Sequence, residues 1–125
     1  MAHDWPVLPD ILTTVRDFVS SVVPKLEGMD HYHALCTLYL LDVVQRELTR
    51  EWRHEETADD ARLRALGGLG PEVPARELTA RLAAQIRAGR FDADMQALEA
   101  TLLDHVIAKV RVSKPSQLSP EHRDD

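Results

Sequence analysis

The chain has 125 residues, of which 44% are hydrophobic and 29% charged, with one cysteine and a formal net charge of −6. This balance predicts one globular domain with enough apolar side chain for a core that needs no disulfide or metal staple. The acidic excess argues against nucleic acid, whose phosphates call for clustered Lys and Arg. A lone Cys36 cannot form an intrachain disulfide and fits a reducing cytoplasm.

The opening "MAHDWPVLPD" has neither a basic n-region nor an apolar h-region, so no signal peptide is expected. The longest apolar stretch, Ala34 to Leu41, is interrupted only by Thr37 and falls far short of the ~20 residues that span a bilayer. These features predict a cytoplasmic protein without membrane contact. No internal repeat is evident, and no segment alternates with period two, so helix is favoured throughout.

The first helix is expected to start near Pro9, which suits a first turn, with Asp10 favourable to the helix dipole. Ile11, Val15, Phe18, Val19, Val22 and Leu26 then form one apolar stripe. Pro24 ends or kinks this helix and Gly28 marks the turn. The second helix runs from about Asp30 towards Glu51. Its apolar residues point nearly all round, which predicts a central helix wrapped by others. Thr57 and Asp60 resemble a capping box opening a third helix, which Gly67 and Gly68 stop. A fourth helix starts at Pro74, buries Leu78, Leu82 and Ile86, and ends at Gly89. Asp92 or Asp94 caps a fifth, with Met95, Leu98, Leu102, Val106 and Val110 as its stripe and Pro115 as its end.

The expected fold is therefore all-α, a compact bundle of about five helices with a buried central helix near residues 31–50. Residues 1–8 would be an N-terminal arm, 9–114 the bundle domain and 115–125 a flexible polar tail.

The segment "GMDHYHALCTLYLLDVV" gathers metal-capable side chains. His31 and His33 are two apart and cannot share a helix face, while Asp30 with His33, or His33 with Cys36, can. Zinc needs three or four ligands, and His3, His54, His105 and His122 are scattered without ligand spacing, so no metal is expected. His33 lines up with Thr37, Leu40 and Val44, which predicts a half-buried side chain, either packed by one or two hydrogen bonds or presented to a ligand. Cys36 sits in the most apolar segment, where a thiol is usually inert. "HEETA" at His54 lacks the second histidine of H-E-x-x-H. The loop at Gly67, Gly68 and Gly70 lacks the Lys-Ser/Thr and the preceding strand of a P-loop. The chain contains no Asn, so the metal-binding Asn of a kinase-type catalytic loop is missing and phosphoryl transfer by this chain alone is disfavoured. Arg87 and Arg90 around Gly89 read as dipole-complementing arginines at a helix end, with an anion contact as the alternative. Trp52, set among the charges of "QRELTREWRHEE" beside Arg50, can anchor an interface.

Three stretches resemble a known family: "LTTVRDFVSSVVPKLEG", "GMDHYHALCTLYLLDVVQREL", and "IRAGRFD" followed by "AKVRVSKPSQL". In order and spacing they are similar to small all-helical bacterial proteins of unassigned activity. Those proteins are encoded beside aminoglycoside-phosphotransferase-like kinases and acyl-CoA dehydrogenases. The resemblance spans about residues 7 to 118 and includes Pro24, Leu26, Gly28, Tyr32, His33, Ala34, Arg46, Glu47, Leu48, Ile86, Arg87, Gly89, Lys109, Val112 and Pro115. The family often has Arg two residues after the His and Asn six after it. Here those positions are Leu35 and Tyr39, so a polar site on that face would be lost or rebuilt.

The resemblance implies a non-catalytic accessory or binding subunit for a phosphotransferase-like kinase in acyl-CoA (hydroxy acid) catabolism, with the kinase and an acyl-CoA dehydrogenase as partners. It implies no cofactor of the chain's own. His33, Arg46 and Arg87 are the candidate binding residues, and Trp52 and Arg50 the candidate interface residues. The alternatives are a small enzyme or ligand-binding protein with a site around His33, and a self-associating helical module, a homo-oligomer.

Overall fold

A computed structural model describes residues 7–123, with the side chain of Arg50 outside the description. Five α-helices follow one another: α1 (Leu8–Val22), α2 (Gly28–Glu47), α3 (Arg50–Gly67), α4 (Leu78–Arg87) and α5 (Met95–Ser113). Among the described residues there is no strand, so the fold is all-α. No helix among them is long and apolar enough to cross a membrane. The contacts divide the chain into two units, residues 1–50 and 51–125.

The first unit is a helical hairpin. Pro9 and Asp10 occupy the first turn of α1, and Pro24 falls in a 3-10 turn over Val23–Lys25 that ends the run. Gly28 opens α2 with a φ of 60°, a left-handed backbone that favours glycine. The helices run antiparallel, because early residues of α1 meet late residues of α2. Arg16 Nε donates to Asp42 Oδ1 at 2.7 Å and Gln45 Nε2 to Thr13 Oγ1 at 3.4 Å. Near the turn, His31 Nδ1 lies 3.0 Å from the Val23 carbonyl oxygen. The Arg16 guanidinium holds the Asp42 carboxyl below its usual range, through this hydrogen bond first.

The expectation of a buried central helix near residues 31–50 is not met. Ala34 is the one buried residue of α2, while Tyr32, Leu35, Tyr39, Leu40 and Val44 are exposed. The reason is geometric. Within its unit α2 packs against one long helix, and one neighbour covers only one side of a helix whose apolar residues point all round.

The second unit holds the core. Leu63 of α3, Val73 of the following loop, Leu78 and Leu82 of α4, Phe91 and Leu98 form one buried cluster, edged by Leu66, Leu69 and Leu102. Leu78 has no exposed surface at all. Gln85 and Arg90 donate to the Gly67 carbonyl, and Arg64 Nη1 donates to the Gly70 carbonyl at 2.6 Å. These bonds satisfy backbone oxygens at the end of α3 and in its loop. Gly89 ends α4 at a φ of 81°.

Three boundaries differ from expectation. The fourth helix starts at Leu78, after a 3-10 turn over Ala75–Glu77, and not at Pro74. The third helix starts at Arg50 and not at Thr57, whose hydroxyl donates to the Arg53 carbonyl within α3 at 2.9 Å. "REWRHEE" is rich in good helix formers, so the break falls earlier, after Leu48, the residue capping the C-terminus of α2. The C-terminal segment, expected to be a flexible tail, makes 3-10 turns over Pro115–Gln117 and Pro120–His122. Leu118 between them is buried. Arg123 Nε donates to the Leu118 carbonyl at 2.7 Å, and Arg111 reaches the His122 carbonyl at 3.3 Å. One apolar residue in a polar stretch is enough to dock it.

Candidate functional site

Trp52, Glu56, Asp59, Asp60 and Leu63 recur along α3 at helical spacing and form one face. They make one wall of a cleft of about 410 Å³. The other wall is Arg76 in the 3-10 turn Ala75–Glu77, Thr79 at the start of α4, and His105 and Lys109 on successive turns of α5. All of these residues belong to the second unit.

At the base of the cleft lies a polar pair. Asp59 is 7% exposed and is the one buried charged residue among those described. His105 Nδ1 is 2.6 Å from Asp59 Oδ2, and Arg62 Nη2 is 3.3 Å from Asp59 Oδ1. Both carboxylate oxygens are therefore engaged, which offsets the cost of burying the charge. A carboxylate accepts and cannot donate, so the Nδ1 of His105 holds the proton. Nε2 is the ring nitrogen not engaged by Asp59. Arg62 Nε is buried without a hydrogen-bond partner.

A second feature is apolar. In the first unit, Leu8, Ile11, Val15 and Phe18 follow at spacings of three and four on α1 and are all exposed. Tyr32, Leu35 and Tyr39 do the same on α2. In the second unit, α5 exposes Met95, Leu103 and Val106, which line a shallow groove of about 500 Å³.

The residues singled out from sequence are dispersed. His33 is exposed, not half-buried, because α1 covers the other side of α2. Its ring centroid lies 6.1 Å from that of Tyr32. Arg46 is half-buried thirteen residues further along the same helix, about 20 Å away at 1.5 Å per residue. Arg87 is exposed at the last position of α4 in the second unit. His33 and Arg46 are too far apart for one small ligand. Trp52, expected at an interface, lines the cleft. Arg50 opens α3, and its side chain lies outside the described residues. Among the described residues, no three His, Cys, Asp or Glu side chains form a metal-binding group.

Sequence reading missed Asp59 and His105. Each lies on an otherwise apolar stripe. Asp59 precedes Leu63 and Leu66 at spacings of four and seven, and His105 follows Leu98 and Leu102 at spacings of seven and three. Two polar residues on two core-facing stripes were the available signal for a buried pair.

A family model described as a domain of unknown function (DUF6285) matches residues 24–117. No curated protein and no solved structure matches the chain.

Proposed function

The chain belongs to the DUF6285 family, and we propose that it acts as a non-catalytic accessory subunit of a phosphotransferase-like kinase in acyl-CoA (hydroxy acid) breakdown. The supporting observation is the apolar surface of the α1–α2 hairpin. Phe18 is 67% exposed, Met29 64%, Tyr32 59% and Leu40 58%. Soluble proteins seldom leave such faces open unless something covers them. A helical face of this kind suits a groove on a larger protein. The kinase, and an acyl-CoA dehydrogenase as a further partner, enter through the sequence resemblance.

Co-expression with a phosphotransferase-like kinase, the neighbour the sequence resemblance implies, tests the reading. A single co-eluting species on size exclusion is the expected result, weakened by Phe18→Ser or Tyr32→Ser. Two independent peaks would overturn it. The same open face also favours a second copy of the chain as its cover. Light scattering of the purified chain separates the two: a dimer at micromolar concentration supports self-association, and a monomer supports a different partner.

A further inference from the structure

The cleft between α3 and α5 has an unusual distribution of charge. Glu56 and Asp60 stand one turn apart on α3, with Trp52 one turn before them. Arg76 and Lys109 stand on the other wall. The two walls are therefore of opposite sign. Yet among the described residues none of these four charged side chains makes an ion pair or a hydrogen bond. Acids and bases that merely decorate a helical surface commonly pair along one helix at spacings of three or four, as Arg81 does with Glu77 at 3.4 Å. Here acids on α3 and bases on the neighbouring elements line one cleft without pairing.

We propose that this cleft is a binding site for a small dipolar organic ligand, one bearing an ammonium group at one end and a carboxylate or comparable anion at the other. The ammonium lies against the α3 wall, where Glu56 and Asp60 accept its hydrogen bonds and the Trp52 ring face offers a cation–π contact. The anion lies against Arg76 and Lys109. His105 contributes from the base. Its Nδ1 is committed to Asp59 at 2.6 Å, so the ring is fixed in orientation and Nε2 is the nitrogen left to hydrogen-bond the ligand. A volume of about 410 Å³ falls within the range of small-molecule sites. Neither a simple cation nor a simple anion would use both walls. This site is independent of the α1–α2 face proposed for partner binding.

The test is amide and indole NMR on the full chain, titrated with glycine, 4-aminobutyrate and 6-aminohexanoate, which vary the distance between the charged ends. Hexylamine and hexanoate serve as single-charge controls. At least one zwitterion should shift the Trp52 indole and the His105 resonances in a saturable manner, with an affinity at least tenfold above either control. Asp60→Asn and Lys109→Gln should each weaken it at least fivefold while the circular dichroism spectrum stays unchanged. Binding by the controls as tight as by the zwitterions would overturn the proposal. So would the absence of saturable shifts with all three zwitterions.

Discussion

His105 Nδ1 and Asp59 Oδ2 lie 2.6 Å apart, joining α5 to α3 across 46 residues of sequence. The bond gives the second unit a polar fastening beside its leucine core. Asp59→Ala would leave His105 Nδ1 and Arg62 Nη2 without their acceptor in a half-closed site. For the nearly buried His105 that loss costs about 1–3 kcal/mol, while Arg62, its side chain 39% exposed, turns to water and adds little. Urea unfolding of D59A should show that loss. A double-mutant cycle with His105→Gln should show coupling, since the two side chains are in direct contact. Additive losses would mean the pair is only a near approach.

Leu78 is fully buried at the centre of the core cluster. Leu78→Ala should destabilise the second unit by about 2–5 kcal/mol, the cost of lost burial plus a cavity. A denaturation midpoint within error of the parent would contradict the assignment of this cluster as the core.

Leu118 is the apolar anchor of the C-terminal turns. Leu118→Ser should release the segment after Pro115 and raise amide exchange there, with a stability loss on the order of 1–3 kcal/mol. Unchanged exchange would place the anchoring in the Arg111 and Arg123 bonds to backbone carbonyls instead.

The Arg16–Asp42 pair predicts a pH dependence in the hairpin. Asp42 is held below its ordinary value of 3.8 by Arg16. A carboxyl whose folded value is depressed adds stability above its unfolded value and loses it as pH falls through the folded one. The advantage of the parent over Asp42→Asn should therefore be present at neutral pH and fade on acidification below the usual aspartate range. High salt should shrink it as well, because both side chains are about one-third exposed. An advantage that persists in strong acid would show that the pair contributes through packing and not charge.

His33 offers a clean separation of roles. It is exposed, so His33→Ala should change stability by no more than about 0.5 kcal/mol. Partner binding measured with the same variant then reports on function without a folding artefact. A large drop in melting temperature would instead restore the packed histidine expected from its stripe.

The helical segments were legible because local signals mark them. Pro9, Pro24, Gly28, Gly89, Asp94 and Pro115 all stand at or beside element ends. Thr57 misled because a capping pattern inside a run of helix formers has no backbone break to cap. The surroundings of α2 were not legible either. Periodicity shows which sides of a helix are apolar, but not how many neighbours arrive to cover them. For the Asp59–His105 contact the two stripes signalled a buried polar pair, but not that these two side chains meet. Its partners come from helices whose register on each other is set by Leu63, Leu82, Leu98 and Leu102, and that packing is not written in either segment alone.

The bareness of the hairpin has a consequence for how the protein lives. Ordering each backbone residue costs roughly 1–2 kcal/mol, and a two-helix unit with Ala34 as the one buried residue among those described has little apolar burial to offset this. Units of about 40 residues usually need assembly to persist. The helicity of α1 and α2 should thus rise and fall with the supply of whatever covers them. With the proposed kinase as that cover, any excess of the chain would be cut first in this unit by proteases, making the hairpin a gauge of stoichiometry.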